Sequence, residues 1–141
     1  MYPFLLALQT AGAAMVLVNG VPIYRQITSD FAHHQPRPAI LWWAVAAVVL
    51  IQVGYWLRVW LQPPMPGSTH VLIAHLAAFV ARLSFILASS TFTVVFFVRF
   101  EQLSLPPRRI LMMLAVLFSM FCWTSELERL AKALQGTEGK P

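Results

Sequence analysis

Four side chains with chemical capacity recur at helical spacing inside one apolar run, 71–98: His75, Arg82, Ser89 and Thr93. Their separations of seven, seven and four residues put them along one side of a helix. An imidazole can ligate or carry a proton, a guanidinium can grip a carboxylate or phosphate, and hydroxyls can donate to either. Arg82 is the demanding member. At the centre of a membrane helix an arginine costs about 2.5–3.5 kcal/mol on insertion scales. Such a residue is expected to face a bundle interior or a wet cavity rather than lipid.

A second polar face lies downstream, where Ala115, Ser119, Cys122 and Glu126 share one side of a helix. Counting about 1.5 Å per residue from Thr69 puts His75 roughly 9 Å and Arg82 roughly 20 Å along the third apolar segment. The same count from Arg109 brings Glu126 near the level of His75. The expectation is a buried cluster between the third and fourth segments, with His75 against Glu126, Arg82 below them, and Ser89, Thr93 and Ser119 as further ligand or partner contacts.

Catalysis has little to work with here. The sequence contains no H-E-x-x-H, G-x-S-x-G, C-x-x-C or P-loop, and no acidic residue in its first three apolar segments. Ser89, Ser90, Thr91 and Thr93 read as hydroxyls that bond back to the preceding helical turn or across to another helix. His33 and His34 are adjacent, so their rings diverge, and no further ligands lie near them; no metal site is assigned. Cys122 is the only cysteine, which rules out an internal disulfide, and it sits in an apolar run as a small hydrophobe. No catalytic residue is assigned and no cofactor is required. A haem or pigment held through His75 would need a second ligand from another chain.

The elements that must position these residues follow from composition. With 59% hydrophobic and 11% charged residues, the 141-residue chain is too apolar to bury itself as a small soluble domain. It reads as an all-α integral membrane protein, a single transmembrane domain over 1–141. The expected form is a four-helix transmembrane bundle running up-down-up-down, with helices at about 3–22, 39–62, 69–100 and 108–135. The first helix lacks a basic n-region and reads as an uncleaved span carrying Gln9 and Asn19, with a small-residue strip from Gly12 to Gly20. Trp42, Trp43, Tyr55, Trp56 and Trp60 frame the second helix as interfacial anchors, and Arg58 is expected to snorkel to headgroups beside them. Met112, Met113 and Met120 are packing residues. Past Thr124 the fourth helix turns amphipathic, with Leu127, Leu130 and Leu134 on one face and Glu128 and Lys132 at pairing distance. The tail 137–141 is expected to fray. All ten prolines are expected at or outside helix ends.

The net charge of +5 is scattered over loops and helix ends, which disfavours nucleic acid and favours membrane orientation. Arg25, Arg37, Arg99, Arg108 and Arg109 mark loops 23–38 and 99–109 as cytoplasmic, with both termini on the opposite side of a bacterial inner membrane. Small loops, small-residue strips and an arginine in need of company suit a non-catalytic subunit or assembly factor. Its partners would be the bilayer and other membrane chains or further copies of itself. A homo-oligomeric channel or carrier using Arg82 for a small anionic or polar solute is the alternative, and a haem or pigment anchor through His75 the third reading.

Overall fold

The computed structural model describes residues 1–29, 38–65, 70–98 and 107–136. Its elements are α1 (Tyr2–Ser29), α2 (Pro38–Leu61), α3 (Val71–Thr93), a π-helical turn (Val94–Val98) and α4 (Pro107–Leu134). All four α-helices are long and apolar enough to cross a membrane. The His33–His34 loop, the stretch 99–106 that includes the expected end of the third helix, and the tail 137–141 lie outside the described residues.

Both ends of α2 and α4 fall within a residue of expectation, because Pro38 and Pro107 start their helices at the first turn, where a missing N–H goes unneeded. α4 stops where Gly136 takes a left-handed φ of 69° and its N–H reaches the carbonyl of Ala133 at 3.1 Å. α1 differs. Its helix runs through Pro22 to Ser29 instead of ending at Pro22, so the expectation that every proline lies at or outside a helix end is corrected. Proline costs one backbone bond and strains a turn, yet the flanking turns hold the helical path and continue it. At the far end of α3, Ser90 and Thr91 both donate to the carbonyl of Leu87, and Thr93 donates to that of Ser89. Such back-bonding competes with the backbone ladder just before it widens into the π turn.

Packing is between hairpins. α1 lies against α2, α3 against α4, and α2 against α4 joins the two pairs, while α3 leans chiefly on α4. Gly12 abuts Ala47 and Ile51 and Gly54 abuts Leu5 and Gln9, so α1 and α2 run in opposite senses. Gln52 meets Ser119 and Arg58 meets Glu126, so α2 and α4 run the same way. α4 is the most enclosed helix: 39% of its apolar window is buried, against 22% for α1 and 17% each for α2 and α3. Its Met120, Trp123 and Leu127 form the core with Ala13, Ile51 and Ala81. A second cluster extends beyond it, where Ala74, Ala77 and Ala78 of α3 meet Leu130, Ala131 and Leu134 of α4. The amphipathic extension of α4 thus turns its leucine face onto the first turns of α3.

Only part of the small-residue strip is used. A Cβ on Gly12 would stand 2.7 Å from Ile51 Cγ1 and 3.0 Å from the backbone oxygen of Ala47, whereas a Cβ on Gly20 would meet nothing within 4 Å. Gly12→Ala is therefore expected to destabilise the α1–α2 hairpin by about 1–3 kcal/mol. Gly20→Ala, at an open helical position, should leave stability unchanged or slightly raised. Denaturation midpoints of the two variants in detergent check the contrast.

Candidate functional site

Polar groups gather where α1, α2 and α4 meet. Glu126 is fully buried, and its Oε1 lies 2.8 Å from Nε of Arg58, itself only 12% exposed. The contact is an ion pair by distance, although neither Nε nor Oε1 makes a directed hydrogen bond. Toward the middle of the same two helices, Gln52 donates from Nε2 to Ser119 Oγ at 3.1 Å and approaches Cys122 Sγ at 3.9 Å. Its Oε1 accepts from Trp56 Nε1 at 3.0 Å. Ser119 Oγ in turn donates a hydrogen bond to the carbonyl of Ala115 at 2.8 Å. From α1, Thr10 Oγ1 accepts from Trp123 Nε1 at 3.3 Å. Gln9 is fully buried, and neither end of its amide has a hydrogen-bond partner among the described residues.

The expected cluster is divided by this arrangement. Ser119 and Glu126 are buried and face α2. His75, Arg82 and Thr93 are exposed and Ser89 is half-buried, so the α3 seam is not enclosed within the chain. His75 does not pair with Glu126, which is taken by Arg58. Arg58, expected to be solvated by headgroups with no partner inside the chain, is instead paired with Glu126 while still lining the cleft at the end of α2. Counting from Thr69 misplaced the levels because the two ends compared are not flush: α3 begins beside the last turns of α4, as the Ala74–Leu134 cluster shows. Phe85 meets Phe121 edge-on at 6.1 Å, which sets Arg82 slightly to the core side of Glu126 in level.

Arg58 and Gln52 were the residues missed. Arg58 carried a usable signal, since it lies within one residue of the same distance beyond Pro38 as Glu126 lies beyond Pro107. Helices running the same way and starting at one level bring such positions together. Gln52 carried a weaker signal, a lone amide in an apolar run whose buried form needs partners.

Two clefts accompany these groups. One, of about 390 Å³, opens at the end of α2 and is lined by Tyr55, Arg58, Val59, Gln62, Pro63 and Arg129. The other, of about 480 Å³, follows α3 past His75, Phe79, Arg82 and Ile86 to Gln135. Arg82 has no ion-pair partner among the described residues. No three histidine, cysteine, aspartate or glutamate side chains converge among those residues.

Comparison with protein-family models, curated proteins and solved structures gives no match.

Breaking the buried pair one side at a time leaves an uncompensated charge, so Glu126→Leu should destabilise by about 3–5 kcal/mol. The double variant Arg58→Met, Glu126→Leu should recover most of that loss, read from the four unfolding midpoints of a double-mutant cycle. Gln9→Met removes an amide with nothing to bond. A gain of about 1 kcal/mol or more in the same assay is expected, and a loss would show that the amide is satisfied.

Proposed function

We propose that this chain is a non-catalytic subunit of a larger membrane assembly, docking through the outer face of α3 onto a partner helix that presents a carboxylate. The observation that carries this reading is Arg82, exposed on an apolar helix with no ion-pair partner among the described residues.

Depth supports the reading further. A hydrocarbon layer about 30 Å thick takes about 20 residues of each helix. Aligning the contacts between helices fits that layer to 2–22 of α1, 39–59 of α2, 79–98 of α3 with its π turn, and 107–127 of α4. Exposed Trp42 and Trp43 then fall near one boundary, and exposed Trp56 and Trp60 near the other, where amphipathic rings gather. Arg82 comes about one turn inside the layer. Above it rise the first turns of α3, exposing Val71, Leu72, Ile73 and Leu76 to the extent of 57%, 82%, 51% and 61%. Lipid tails cannot cover apolar residues above the headgroups, and a chain can. A carboxylate from that chain would pair with Arg82 far better than water at the layer's edge, with His75 and Gln135 lining the same groove.

The up-down-up-down course belongs to this reading, as does a bacterial inner membrane with the α1–α2 and α3–α4 connections on the cytoplasmic side. Exposed Arg25, Arg108 and Arg109 at that end favour it under the positive-inside rule.

Photo-crosslinkers at Leu72 and Leu76 in native membranes are expected to trap a defined second protein, while one at exposed Leu111 traps none. Arg82→Leu should cut co-purification of that protein at least tenfold, or about 1.4 kcal/mol of binding. Adducts of lipid alone, or undiminished capture by Arg82→Leu, overturn the proposal. Adducts with the mass of two copies of this chain would replace the foreign partner with a homodimer.

A further inference from the structure

We infer that the cleft at the end of α2 is a binding site for a phosphate group, held between Arg58 and Arg129 and supplied by the headgroup of an anionic lipid. The cleft is separate from the α3 groove and shares with the reading above only the placement of the chain in a bilayer.

Charge is the first ground. Arg58 and Arg129 both line the cleft, and the carboxylate that answers them, Glu126, is fully buried behind Arg58. One carboxylate against two guanidiniums leaves the opening positive. Arg129 is exposed and has no ion-pair partner among the described residues, so its charge is available. Guanidinium forks match phosphate oxygens in number and geometry, and a phosphate bridging two of them makes several charge-assisted bonds.

Preparation of the site is the second ground. Arg58 is fixed from behind by Oε1 of Glu126 at 2.8 Å, so less side-chain freedom is lost on binding than for a free surface arginine. The N–H of Gln62 closes onto the carbonyl of Arg58 at 2.9 Å and holds Gln62 against the last turn of α2. Gln62 reaches that position with a φ of 41°, left-handed for a residue that bears a side chain. This turn sets Gln62 and Pro63 as one wall of the cleft and Tyr55 as another, with the amide and phenol available as donors. A volume of about 390 Å³ takes a phosphate with a glycerol ester attached.

Location is the third ground. Trp56 and Trp60, 59% and 85% exposed, lie two residues either side of Arg58 along α2, at the level where headgroups lie in the bilayer placement above. They also furnish the readout.

The experiment titrates the full chain in neutral detergent with a short-chain phosphatidylglycerol, following tryptophan fluorescence. Parallel arms use a phosphate-free diacylglycerol with the same acyl chains and inorganic phosphate. Saturable binding of phosphatidylglycerol is expected, weakened about tenfold by Arg129→Gln and unaffected by Arg108→Gln, which removes an exposed arginine at the opposite end. Arg129 is exposed and makes no side-chain hydrogen bond or ion pair among the described residues, so its variant should remain folded. Diacylglycerol should bind weakly or not at all. Inorganic phosphate binding as tightly as the lipid, with the same dependence on Arg129, would assign the site to the free anion. Equal affinity in Arg129→Gln, equal loss in Arg108→Gln, or a diacylglycerol response matching phosphatidylglycerol overturns the site. None of these outcomes bears on Arg82, so the failure of one proposal is distinguishable from failure of the other.

Discussion

A carboxylate with no solvent contact, paired to an arginine on the neighbouring helix, fixes how the two halves of this molecule meet. Apolar faces alone are poor at choosing a register when surrounding hydrocarbon is as apolar as they are. The pairing of Arg58 with Glu126, with Gln52 against Ser119 farther along, allows one alignment of α2 on α4. Sliding either helix by a turn would strand an ionised group where it is expensive to leave one unpaired. Close approach at Gly12 and Gly54 then seats α1 on α2, and the alanines of α3 seat it on α4.

Two arginines in similar sequence surroundings meet opposite fates. Arg58 and Arg82 each follow a long run of valine, leucine and alanine, and each sits among aromatic residues. Arg58 faces a neighbour that carries a carboxylate; Arg82 faces outward from a helix with one principal neighbour. Number and arrangement of neighbours, not local composition, separate an arginine held inside the fold from one left at its surface.

Helix count and most helix ends were legible because bilayer-length apolar runs and bracketing prolines are local features. Pro22 shows the limit of that reading, since a proline near the end of a run can be carried within the helix. The face bearing Ser119, Cys122 and Glu126 was also legible from spacing, but not the helix it looks toward. A seven-residue recurrence identifies one side of a helix and says nothing of whether protein or lipid lies on it. In water an exposed apolar side would break the symmetry; a chain this apolar throughout offers no such contrast. Unequal helix lengths did the rest, since α3 starts beside the closing turns of α4 and levels counted from the connection were displaced by that offset.

The most enclosed helix is also the last in chain order. Synthesis proceeds from the N-terminus, so α1 and α2 can pair as soon as both emerge, through contacts that involve nothing downstream. α3 then emerges without its principal neighbour, and Arg58 without its counter-charge, until α4 is complete. The nascent chain passes through an interval in which the Arg58 guanidinium is uncompensated and α3 has no helix to lean on. Biogenesis of this protein therefore has one vulnerable window, and its closing waits on the ribosome reaching Glu126.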